Sequence, residues 1–77
     1  MTSRTITLTE VYTKLNNTSE YIVQALGTCE VVLSDTQPVE TEQGFMLEKG
    51  DAVNKNTFGE STLWGKARVP TAVIVAE

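Results

Sequence analysis

Histidine does not occur in this chain, cysteine occurs once, and no apolar run approaches the roughly 20 residues of a membrane-spanning helix. Without histidine, the usual general base and the commonest metal ligand are missing. A lone cysteine, Cys29, permits no disulfide within the chain. With no imidazole to activate it, Cys29 reads as a small buried apolar residue rather than a nucleophile. Cations are also scarce: six lysines and arginines stand against ten aspartates and glutamates, for a net charge of −4. They are scattered rather than clustered, which argues against nucleic acid as a partner. The opening "MTSRTITLTE" has no apolar h-region, so neither a secretory route nor a membrane is expected. The overlapping sequons Asn16-Asn17-Thr18 and Asn17-Thr18-Ser19 then read as a polar turn.

Motif chemistry is equally thin. "GKA" at 65–67 lacks the upstream glycine spacing of a phosphate-binding loop. Asp35, Glu40, Glu42, Glu48 and Asp51 supply hard oxygen ligands, but their spacing fits no EF-hand, and solvated loop charge is the expectation. No desolvated cleft is apparent that would split the pKa values of paired carboxylates. No catalytic residue, cofactor or metal is therefore expected, and the chain does not read as an enzyme.

What the chain has is threonine and valine. β-branched side chains fit a pleated surface better than a helix, and short β-rich runs recur between turn signals. The expectation is one all-β domain over residues 1–77. It is a small β-sandwich or partly open barrel of six to eight short, mostly antiparallel strands. Seventy-seven residues lie near the lower limit for a self-sufficient core, and domains of this size often gain burial from a partner.

In "RTITLTEVYTKL" (4–15), Ile6 and Leu8 alternate with threonines before Val11, Tyr12 and Leu15 change phase. Leu8, Val11, Tyr12 and Leu15 also fit a helical stripe with a Thr7–Glu10 capping box, but a strand kinked near Thr9 is preferred. "EYIVQAL" (20–26) and "TCEVVLS" (28–34), joined at Gly27, resemble a hairpin or tightly turned strand pair. Tyr21, Val23 and Ala25 share one face of the first, and Cys29, Val31 and Leu33 share one face of the second. "DTQPVETEQG" (35–44) reads as a surface loop, Gly50-Asp51 as a turn, and "NKNTFGES" (54–61) as another connection. "TLWGKAR" (62–68) is expected to pair, through a turn at Pro70, with the closing strand "TAVIVAE" (71–77). The expected core is Ile6, Leu8, Val23, Val31, Leu33, Leu47, Leu63, Val73 and Val75.

Two features point outward. Ile22, Leu26 and Val32 lie on the faces opposite the expected core, so one sheet face is expected to meet another subunit. Trp64 shares a face with Lys66 and Arg68, which favours a half-exposed or interfacial ring. The candidate interface residues are Trp64, Lys66, Arg68 and Ile22.

The stretches "VVLSDTQP" (31–38), "GFMLEKGDAV" (44–53), "LWGKA" (63–67) and "AVIVAE" (72–77) follow an order that resembles a group of short tailed-phage virion proteins with all-β folds. The resemblance implies a structural role, with many copies of a small β-sandwich bound to a capsid, neck or tail, commonly as trimers or larger rings. A capsid decoration or cement protein is the favoured reading, assembled in the bacterial host cytoplasm and resident in the virion. Its expected partners are copies of itself and the major capsid protein, or neck and tail proteins. A neck, collar or tail-fibre attachment component remains an alternative. So does, in a different class, a small host-directed binding or inhibitor protein.

Overall fold

A computed structural model describes residues 2–77. Eight strands follow one another: β1 (Ser3–Leu8), β2 (Thr13–Lys14), β3 (Ile22–Ala25), β4 (Cys29–Leu33), β5 (Phe45–Leu47), β6 (Ala52–Asn54), β7 (Leu63–Lys66) and β8 (Thr71–Ala76). They form two antiparallel four-stranded sheets, ordered β1-β8-β3-β6 and β2-β7-β4-β5. The described residues contain no helix, so the fold is all-β.

The chain changes sheet at nearly every connection, and only β4 and β5 are consecutive strands that pair with each other. This corrects two expected pairings. "EYIVQAL" and "TCEVVLS" are not a hairpin: β3 lies in the first sheet against β6 and β8, and β4 lies in the second against β5 and β7. Residues 26–28 form a corner between sheets, closed by a bond from Leu26 N–H to the Ala72 carbonyl (3.1 Å). Likewise β7 does not pair with β8. Residues 67–70 carry the chain across, and β8 settles between β1 and β3. The phase change near Thr9 has the same origin. β1 ends at Leu8, residues 9–12 cross over, and Ala67 N–H donates to the Thr9 carbonyl (2.7 Å).

Alternation places one side of each strand in the space between the sheets. Leu8, Val23, Val31, Leu63, Val73 and Val75 are fully buried there, with Leu15, Tyr21, Ala25, Cys29, Leu47, Val53 and Ala67 around them. Ile6 and Leu33, expected in the core, sit half-buried at its margin together with Phe58. Gly65 leaves room in the core for two leucines: a Cβ there would come within 3.0 Å of Leu15 Cδ1 and 3.1 Å of Leu8 Cδ1. At the β5–β6 turn Gly50 takes a φ of 93°, and its N–H donates to the Ala25 carbonyl (2.8 Å).

The turn after β2 is more than a polar connection. Asn16 is 3% exposed. Its Oδ1 accepts from Leu63 N–H (2.7 Å), while its Nδ2 donates to the carbonyls of Thr18 (2.8 Å) and Ser61 (3.1 Å). The Leu15 carbonyl accepts instead from Arg4 Nη2 (2.7 Å), whose Nη1 bonds Glu77 Oε2 (2.6 Å). Two side chains thus replace one rung of the β2–β7 ladder and tie both sheets to the turn.

Candidate interaction surfaces

The outer faces of the two sheets differ in kind. On the second sheet, register sets Lys14, Trp64 and Val32 in one row and Lys66, Glu30 and Met46 in the next. The loop at 34–44 folds over part of this face. Trp64 Nε1 donates to the Ser34 carbonyl (2.9 Å), and Gln37 Nε2 donates to the Tyr12 carbonyl (2.9 Å). Tyr12 is buried beneath the loop, with its hydroxyl donating to the Glu42 carbonyl (2.7 Å). Lys66 Nζ lies 4.8 Å from the Tyr12 ring centroid and 3.5 Å from Glu30 Oε2, and it also donates to the Glu40 carbonyl. Burial, reinforced by the negative charges of Glu30 and Glu42, pushes the Tyr12 phenol above its ordinary range.

Beside this covered face lies an open cleft of about 860 Å³, bordered by Lys66, Arg68, Glu30, Glu40, Met46 and Val69. Its lining mixes both signs of charge with exposed apolar groups. Cys29 also borders it. Burial, with smaller contributions from Glu30 and Glu48, pushes that thiol up to about 11, so it stays protonated at neutral pH. The loop carboxylates are dispersed. Asp35 accepts from Ser61, Asp51 caps the β5–β6 turn through Glu48 N–H, and Glu48 accepts from Thr28. Among the described residues no three acidic or cysteine side chains gather as a metal site.

The outer face of the first sheet is bare and uncharged. Strand alternation and register assign it Ser3, Thr5 and Thr7 from β1, Ala72, Ile74 and Ala76 from β8, Ile22 and Gln24 from β3, and Ala52 and Asn54 from β6. Leu26 continues the face beyond β3. No lysine, arginine, aspartate or glutamate lies among these positions, in a chain where 21% of residues are charged. Ile22 and Leu26 are 44% and 43% exposed. The nearest charges are paired at its margins: Arg4, on the inner side of β1, with Glu77, and Glu20, two residues before Ile22, with Lys55.

The four candidate interface residues therefore do not form one patch. Trp64 and Lys66 sit side by side on the outer face of the second sheet, partly under the 34–44 loop. Arg68 lies on the exposed corner at the cleft, and Ile22 lies on the opposite side of the sandwich. Sequence reasoning did not single out Tyr12 or Asn16, each of which locks a loop, nor the absence of charge around Ile22. That last signal was accessible: every second residue of β1, β3 and β8 on that side is Ser, Thr, Ala, Gln or Ile.

Comparison of the chain with protein families, with curated proteins and with solved structures finds no match.

Proposed function

We propose that the protein is a structural component of a tailed-phage virion that acts by protein–protein assembly, as a decoration or cement protein of the capsid. The observation that carries the assembly part is the uncharged outer face of the first sheet, with Ile22 and Leu26 at its surface. In a chain of net charge −4, a face without charged side chains lets copies meet without like-charge repulsion, and exposed apolar groups supply the gain on burial. The virion part is supported by the ordered resemblance of residues 31–38, 44–53, 63–67 and 72–77 described above. In this reading the protein carries out no catalytic step and works after assembly in the host cytoplasm, with the major capsid protein and copies of itself as partners.

Electron microscopy of intact particles from the phage that encodes the chain tests it. Ordered copies distributed over the shell are the expected result. Copies confined to one vertex would replace decoration by a neck or collar role, and particles lacking the protein would remove the virion reading altogether.

A further inference from the structure

β1 forms an open sheet edge of six residues, against two in β2 and three each in β5 and β6, the other edge strands. The ladder to β8 fixes which of its backbone groups are free. Thr2 N–H donates to the Glu77 carbonyl (2.6 Å) and Glu77 N–H to that of Thr2 (3.0 Å). By the alternation of an antiparallel pair, Arg4, Ile6 and Leu8 then also face β8 with their N–H and C=O groups. Those of Ser3, Thr5 and Thr7 point out of the sheet, and no other backbone segment among the described residues bonds them.

Exposed edges are commonly guarded by lysine, proline or a bulge. β1 has none of these. Its one charged side chain, Arg4, lies on the opposite side of the strand from Ser3, Thr5 and Thr7. Its charge is paired with Glu77 while it also donates to the Leu15 carbonyl, which weakens its repulsion of an incoming strand.

We propose that the occupant of this edge is a second copy of the chain, with β1 pairing antiparallel to β1 about a two-fold axis at Thr5. Ser3 then faces the second copy's Thr7, Thr5 faces its own counterpart, and Thr7 faces Ser3. This register sets every outward group against another outward group, whereas a slip of one residue opposes them to groups already bonded to β8. It also stacks hydroxyl side chains in cross-strand pairs, a favourable combination. Self-complementarity argues for a second copy rather than a foreign strand: on the outer face the seam carries no charged side chain in a molecule of net −4, Arg4 on the inner side is paired with Glu77, and each outward Ser or Thr meets another. The two sheets become one of eight strands, and the uncharged faces bearing Ile22 and Leu26 become continuous. This pairing extends the assembly role proposed above by naming its first partner. The seam is only about 20 Å long at roughly 3.4 Å per residue, short of a standard interface of about 800 Å² per partner, so association depends on concentration.

The test is the mass of the purified protein in solution from about 1 μM to 1 mM, for the wild type, Thr5→Lys, Thr5→Glu and their equimolar mixture. Thr5 is exposed on the outer face, so both variants retain the monomer fold, checked by far-UV circular dichroism. The wild type is expected to dimerise. Each variant alone sets like charges opposite one another at the axis and weakens self-association by about tenfold or more. The mixture sets lysine against glutamate and restores the dimer. A wild type that stays monomeric throughout, variants that dimerise unimpaired, or a mixture that does not recover would each overturn the pairing. A monomer that still decorates particles would overturn the pairing and leave the virion role standing; a dimer absent from particles would leave the pairing standing and remove the virion role.

Discussion

Asn16 carries more of the architecture than its place in a polar tetrapeptide implies. Its amide group closes three bonds to residues from two segments, one of them to the buried Leu63 N–H. Asn16→Ala leaves that N–H and two carbonyls without their partner, and should cost about 1–3 kcal/mol in urea unfolding. Wild-type stability in the variant would mean that water replaces the side chain there. Cys29 gives a prediction in pH. Burial raises its thiol from 9.0 to about 11, so between those values the unfolded chain releases a proton that the folded chain retains. The folded state binds more protons, and stability therefore falls as pH rises through that window. Tyr12 and Tyr21, also raised by burial, add to the fall from about pH 10 upward, overlapping its upper part. Cys29→Ala keeps the tyrosines and should lose only the earlier part of the decline. Identical pH profiles for the two proteins would contradict the burial of the thiol.

At the scale of strands and loops, β8 is one of the two interior strands of the first sheet, bonded to β1 on one side and β3 on the other. Deleting residues 72–77 removes two ladders and the buried Val73 and Val75, a loss comparable with the whole stability of so small a domain. The truncated chain should show no cooperative thermal transition; a folded product would mean that β8 only lies against the sheet. The 34–44 loop is held more lightly. Tyr12→Phe removes the bond to the Glu42 carbonyl, should cost about 1 kcal/mol, and should speed amide exchange within residues 36–43 while leaving β3 and β8 protected. Uniform exchange across the chain would show that the loop is not a separate unit. Strands were legible in the sequence because valine and threonine alternate whatever partner a strand takes, so Val23, Val31, Leu47, Leu63, Val73 and Val75 were placed correctly. Their pairing was not legible. A two- or three-residue connection such as 26–28 serves a hairpin or a corner equally well, and the contacts that decide are long-range ones, such as Leu26 with Ala72. Tyr12 was obscured for a related reason: the segment that buries it is a polar loop, whose composition signals exposure.

For the whole molecule, the unequal faces matter most. One sheet is overlaid by a loop and dotted with both signs of charge, while the other presents threonine, alanine and isoleucine without a charge. A monomer has no need of such a surface, since charged residues on it would aid solubility at no cost to the core. Sequence patterning indicated a second apolar side at Ile22 and Leu26 but could not separate it from Trp64, because face membership depends on which sheet each strand joins. The central claim is that the uncharged face is the working surface. The most direct measurement is the amount of protein that cosediments with phage particles, comparing Ile22→Glu with Lys14→Glu, a charge change of like sign on the exposed opposite sheet. The account predicts that Ile22→Glu keeps its melting temperature yet loses particle binding, while Lys14→Glu binds as the wild type does. Full binding by Ile22→Glu, or its loss in Lys14→Glu alone, would contradict it.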